Sequence, residues 1–300
     1  MLANTANSKR DHVVHSPMPS GILAETIAAV TDILSNDLDH IAVERATIGL
    51  FFTGVKLDTG HAGACATPIK TIPEAVCCPS SAMAMPFPGK LKGRPARDVM
   101  QEAFSSHGIR RGVGIAAVNA LAELCWEKRP HPLVELRRGV DAFTANVFGP
   151  DDRTVVVGAF VPFLKELKRR RQPFLVLEKD PDTLKAEEMP FYRPAELAPE
   201  IVPAADVLLI TGATLINDTL EDLLALARPE ARVTVLGPTV GMLPDAFLAR
   251  GADILGSVRI TRPDAFLDLL AEGGSAPHFL GHSAEKIVLV KKAMATARVA

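Results

Sequence analysis

The stretch 154–181, TVVVGAFVPFLKELKRRRQPFLVLEKDP, places two short apolar runs on either side of a glycine-containing turn and an amphipathic segment. Parallel strands are covered on both faces and so read as continuous apolar runs, while the helix between them shows a 3.6-residue period. The spacing therefore predicts the first strand, helix and second strand of a nucleotide-binding type α/β domain. Comparable runs recur at 207–211, 233–236 and 254–258, separated mostly by helical patterns, which predicts a parallel sheet with helices on both faces. Pro162 suits the first turn of the first helix, where its missing N–H does no harm. The Lys168-Arg169-Arg170-Arg171 run suits the negative end of that helix better than it suits a nucleic acid.

The first half has a different rhythm. Ser20 is placed to cap a helix ending near Asn36 with Ile22, Leu23, Ile27, Val30, Ile33 and Leu34 on its core face. Runs over 40–67, punctuated by Gly54, Gly60 and Gly63, predict a small antiparallel sheet with tight turns. Residues 67–95 are rich in proline and small side chains and predict a long loop. Helices are expected over 96–106 and 109–127, the second carrying Asn119 in an apolar stretch, where a buried amide must find partners. A lead-in helix over 135–148 and helices over 217–227 and 263–270 complete the pattern, with 287–290 as a last apolar turn or short strand. The expected organisation is a flexible tail (1–20), an α+β domain (21–134) and an α/β domain (135–300).

Charge and cysteine usage narrow the partners. Lys and Arg number 33 against 35 Asp and Glu, a net charge of -2, so there is no electrostatic footprint for nucleic acid. No apolar run is long enough to span a bilayer and the first twenty residues contain no signal-type core, so a soluble cytoplasmic protein without a membrane partner is expected. Four cysteines, two of them adjacent, read as reduced thiols rather than a disulfide framework.

In open parallel sheets ligands gather outside the carboxyl ends of the strands. The residues there are Gly158 and Phe160, Glu178, then Thr211, Gly212, Thr214 and Asn217, then Gly237 and Pro238. A dinucleotide fingerprint needs further glycines after the first, and Phe160 and Phe163 stand in their places, which argues against ordinary NAD or FAD binding. Glu178 lies where an acidic residue often holds a ribose, which keeps an adenosyl ligand such as S-adenosylmethionine open. Thr211, Thr214 and Asn217 surround a strand-to-helix junction that either seats an anion or merely caps the helix. A metal reading rests on His61 and Cys65 together with Cys77 and Cys78, a His plus thiolates around a soft divalent heavy metal, although the spacing matches no zinc pattern. No nucleophile elbow, P-loop or paired-histidine motif is present, which leaves open whether the protein is an enzyme or a regulatory binding subunit.

Taken together, the segments GLFFTGVKLDTGHAGACATP, GIAAVNALAE, TVVVGAF, LITGATLINDTLEDLL and VTVLGPTVGMLPDAF resemble a bacterial and archaeal family of heavy-metal chelation proteins. The resemblance spans nearly the whole chain after the tail. It implies an enolase N-terminal-like domain joined to a Rossmann-like domain, with a site in the cleft between them for a small anionic ligand or a chelated metal. Carried over residue by residue, that site comprises Gly158, Phe160, Thr211, Gly212, Thr214, Asn217, Gly237 and Pro238, with Thr53, Gly54 and Asn119 from the first domain. The cysteines are not part of the pattern. The expected partner is a small molecule or metal chelate, and a homo-oligomer is left open.

Overall fold

The computed structural model describes residues 21–71 and 85–292. The expected Ser20 cap, the tail 1–20, and Cys77 and Cys78 lie outside the described residues. The first half runs α1 (Ile22–Leu34), β1 (Val43–Ile48), β2 (Phe52–Leu57), β3 (Ala62–Ala66), α2 (Ala96–Met100) and α3 (Gly108–Lys128). Then come β4 (Val134–Arg138), α4 (Ala142–Ala145), β5 (Thr154–Val157), α5 (Val161–Arg170), β6 (Phe174–Glu178), β7 (Tyr192–Pro194), α6 (Ala198–Ile201) and β8 (Val207–Thr211). The chain closes with α7 (Leu220–Leu226), β9 (Arg232–Leu236), α8 (Asp245–Leu248), β10 (Ile254–Ile260), α9 (Pro263–Ala271), α10 (Ala276–Phe279) and β11 (Ala284–Lys291).

The fold is α/β, with a small antiparallel sheet β1-β2-β3 preceding an eight-stranded sheet in the order β4-β11-β10-β9-β8-β5-β6-β7. From β7 to β10 all neighbours pair in parallel. Counted from β5 those six strands run 3-2-1-4-5-6, the order of a doubly wound sheet, with the direction of winding reversing between β5 and β8. The expected helix over 135–148 is a correction: 134–138 is a strand, antiparallel to β11, and only 142–145 is helical. The stretch 287–290 belongs to β11, which pairs antiparallel with both β10 and β4. No helix among the described residues is long and apolar enough to cross a membrane.

Helix α3 lies between the two sheets. Its residues from Arg111 to Ala122 are buried without interruption, so it faces protein on every side. One apolar cluster accordingly runs from Ile22, Val55 and Leu121 in the first half to Val155, Leu208 and Val235 in the large sheet. Close approach to β3 is set by Gly63, where an added Cβ would lie 2.3 Å from the Ala116 oxygen and from the Ala120 nitrogen. The opposite face of the large sheet packs Val156, Val176 and Leu209 against Phe163, Leu164 and Leu167 of α5. Full burial of a leucine such as Leu164 contributes about 2 kcal/mol to holding that helix in place.

Candidate functional site

The carboxyl ends of β5, β6 and β8 frame a cavity of about 320 Å³ at the reversal of winding. Its wall includes Gly158, Glu178, Thr211, Thr214 and Asn217, which the sequence pattern placed at strand ends. The remaining lining is mostly apolar, with Val157, Leu177, Ala198, Leu223 and Leu226, and the rim adds Lys179 and Asp222. Gly158 has φ +98, and an added Cβ would meet the Thr211 methyl at 2.7 Å, so glycine is required both by backbone and by space.

The first turn of α5 offers a ligand little. Glu178 Oε2 accepts from Ala159 N–H at 2.9 Å, while its Oε1 accepts from Lys179 N–H and Asp180 N–H at 2.8 and 3.2 Å. Phe160 N–H donates to the Gly158 carbonyl and Val161 N–H to that of Ala159, and Pro162 has no N–H. The donors that would cradle a pyrophosphate are thus engaged within the turn. Glu178 braces that turn from the neighbouring strand, so the carboxylate expected to meet a ribose spends both of its oxygens on backbone N–H groups.

The segment after β8 also departs from expectation. A 3-10 turn (Gly212–Leu215) follows the strand, and α7 begins only at Leu220. Thr214 Oγ1 donates to the Thr211 carbonyl at 2.6 Å, and Thr219 Oγ1 donates to Asn217 Oδ1 at 2.6 Å, so neither Thr214 nor Asn217 caps a helix. The expected helix over 217–227 is delayed because Asp218 takes a left-handed conformation, φ +57, and turns the chain.

Other anticipated positions are given over to packing. Thr53 is fully buried with its hydroxyl 3.0 Å from that of Thr67. A Cβ on Gly54 would meet Leu267 at 2.5 Å, and one on Gly212 would meet Val240 at 3.0 Å. Asn119 Nδ2 donates to the carbonyls of Ala64 (2.7 Å), Pro238 (3.1 Å) and Thr239 (3.0 Å). Thr239 Oγ1 in turn accepts from Ala66 N–H at 3.1 Å. Asn119 and Thr239 therefore knot α3 and β3 to the loop after β9, and the two halves are docked there. Phe160, Gly237 and Pro238 border a separate cavity of about 210 Å³, with Phe52 from the first half.

His61 and Cys65 do not converge. They stand four residues apart at β3, roughly 13 Å along an extended chain, far beyond the reach of one ion's ligand shell. Both ring nitrogens of His61 are engaged, Nδ1 with Thr59 Oγ1 at 3.0 Å and Nε2 with Glu127 at 3.1 Å. His61 lines a cavity of about 680 Å³ between the halves, with Glu123, Trp126, Arg138 and Arg259. There Arg259 Nε donates to Glu123 at 2.7 Å, while burial pushes the Glu123 carboxyl above its ordinary value. The sequence reading missed Glu123 and Arg259, and also Arg111 and Asp218, which form a bidentate ion pair from α3 to the turn after β8.

Two family models, both described as "Putative heavy-metal chelation", match residues 31–122 and 141–289. The chain belongs to this heavy-metal chelation family. An uncharacterised protein of Methanocaldococcus jannaschii is 29% identical over 178 residues, 58% of this chain and 64% of that protein, so the match spans just under two thirds of that relative's length. A protein of unknown function from the DUF364 family of Pyrococcus horikoshii is similar in fold, with TM-score 0.67 at 18% identity over 89% of this chain and 98% of that one. A DUF364 protein from Desulfitobacterium hafniense is similar at TM-score 0.63, again with 18% identity, 89% and 98% coverage.

Chelation by side chains alone needs several soft or anionic donors at one point. In this member of the heavy-metal chelation family, no group of three or more His, Cys, Asp or Glu that could hold an ion occurs among the described residues. Cys65 is fully buried, and desolvation pushes its thiol up to about 12, so it is not a thiolate at neutral pH. Burial likewise pushes Cys125 up to about 12. Native protein treated with iodoacetamide at pH 8 should leave Cys65 and Cys125 unmodified, with both alkylated in denaturant. Peptide mass mapping checks this, and rapid native labelling of Cys65 would show that it is not held as a buried neutral thiol.

Proposed function

We propose that the protein binds a small-molecule metal chelate in the crevice outside β5, β6 and β8, with the chelator itself supplying the metal's donors. The observation that carries this reading is the cavity at the reversal of strand order. It combines apolar walls, fitted to a carbon framework, with Thr211, Asn217, Lys179 and Asp222 as orienting groups at its edge. Its volume of about 320 Å³ lies at the lower end of small-molecule sites, which favours a compact chelator such as a hydroxycarboxylate or an amino acid over a large siderophore. The family description supports the heavy-metal character of the cargo. The donors left at the site are few, so the protein recognises the outside of the chelate and takes no part in its inner coordination.

The test is titration calorimetry with zinc, copper, nickel and ferric ions, each alone and as citrate and histidine chelates, against wild type and Ala195→Trp. Ala195 lines the cavity, and the indole would fill it. At least one chelate should bind wild type with a micromolar Kd and lose tenfold or more in the variant, with Tm unchanged. Binding of bare ions only, or chelate binding indifferent to Ala195→Trp, would reject the proposal.

A further inference from the structure

Next to the strand-end cavity, and sharing Thr214 as a wall, lies another of about 380 Å³ that both halves of the chain build. Leu23, Phe104, Leu215 and Leu220 give it an apolar side, and Arg111, Asp218 and Glu221 are its charged groups. Arg111 rises from the first turn of α3 with its side chain only 10% exposed, and its Nε is buried with no hydrogen-bond partner. The remaining fork of the guanidinium holds Asp218 in a bidentate pair.

The two partners of this pair are unequally built in. The cation belongs to the core, whereas the Asp218 side chain is 72% exposed and hangs from a residue at φ +57, a conformation that costs a non-glycine residue free energy. Asp218 can return to water with its charge solvated, and its turn can relax as it does. Arg111 cannot, because it stays buried wherever the turn goes. Glu221 does not replace Asp218, since its two oxygens are held by Ile22 N–H and by Arg250. A buried planar fork already matched to a carboxylate, beside an apolar wall, favours a carboxylate on an apolar body.

We propose that this cavity is a binding site for a small organic acid, whose carboxylate replaces that of Asp218 on Arg111 while its apolar body packs on Leu23, Phe104, Leu215 and Leu220. One carboxylate is exchanged for another, so the buried charge balance is preserved and no bond is made or broken. The site stands apart from the chelate reading, because Ala195 is not among its walls and Ala195→Trp leaves it intact.

The experiment is calorimetry with benzoate and hexanoate, with inorganic phosphate and hexanamide as further arms, on the full chain and its Asp218→Asn and Asp218→Gly variants. Both substitutions remove the internal competitor at an exposed position, and the glycine also relieves the backbone. Benzoate or hexanoate affinity should rise tenfold or more in both variants over wild type, hexanamide should not bind, and Arg111→Gln added to Asp218→Asn should abolish the gain. Equal affinity in wild type and Asp218→Asn would overturn the proposal and leave the pair a structural tie. Phosphate binding as tightly as the organic acids would overturn the assigned ligand class.

Discussion

Asn119→Asp should destabilise the protein by about 4 kcal/mol at neutral pH, a large fraction of what holds a domain folded. The two hydrogens of the Asn119 amide serve three carbonyls, one on β3 and two on the loop after β9, that of Pro238 only partly buried. A carboxylate there would face those oxygens with no donor at all, so the folded state would hold it protonated, with a pKa raised above the roughly 3.9 of an exposed aspartate. The sign follows from linkage. Below about 3.9 both states are protonated and the deficit is smallest. As pH rises past that point the unfolded chain ionises first, and stability falls until the folded pKa is reached. Urea denaturation at pH 3.5 and pH 7 checks this, and a variant equally stable at both would show that the amide is not what joins these segments.

Gly63→Ala should cost about 3 kcal/mol, since the new methyl would lie 2.3 Å from backbone atoms of Ala116 and Ala120, which cannot swing aside as a side chain would. Helix α3 would have to lift from β3, and the contact it makes with the large sheet would loosen with it. Gly60 is the internal control. It has φ +86 but open space around its missing side chain, so Gly60→Ala meets only the backbone penalty of about 1 kcal/mol. Melting temperatures should separate the two, by about 2 °C for each kcal/mol in a chain of this size. If both alanines melt alike, the close approach of helix and strand is not the constraint.

The large sheet was legible because β5, β8, β9 and β10 are central strands, and centrality writes itself as unbroken apolar runs. Strand β4 was not, for the converse reason. It is an edge strand of five residues, and the apolar–charged alternation of Val134, Glu135, Leu136 and Arg137 is too short to stand apart from the helical turn at Ala142–Ala145 that follows it. Of the strand-end residues read by position alone, Gly158, Glu178, Thr211, Thr214 and Asn217 line one cavity, while Phe160, Gly237 and Pro238 border another. What each of them does was not legible. Glu178 sits at the spacing of a ribose partner, yet its partners are backbone N–H groups of its own turn and of the turn after β5, a choice that spacing does not encode.

Arg111 did leave a trace. It lies in register with Ile115 and Val118 on α3, a charge on an apolar stripe, and such a residue needs a partner from elsewhere in the chain. Asp218 is 107 positions away, so no local pattern names it.

The placement of β11 bears on how the chain can be made. Among the described residues it is the last strand, yet it sits between β10 and β4 and alone joins β4 to the rest of the large sheet. During vectorial synthesis β4 emerges early and β10 late, and each waits with an open edge until β11 arrives. A ribosome stalled before residue 284 would therefore expose two pairing edges at once, and the nascent chain should be most prone to associate with its neighbours in that interval.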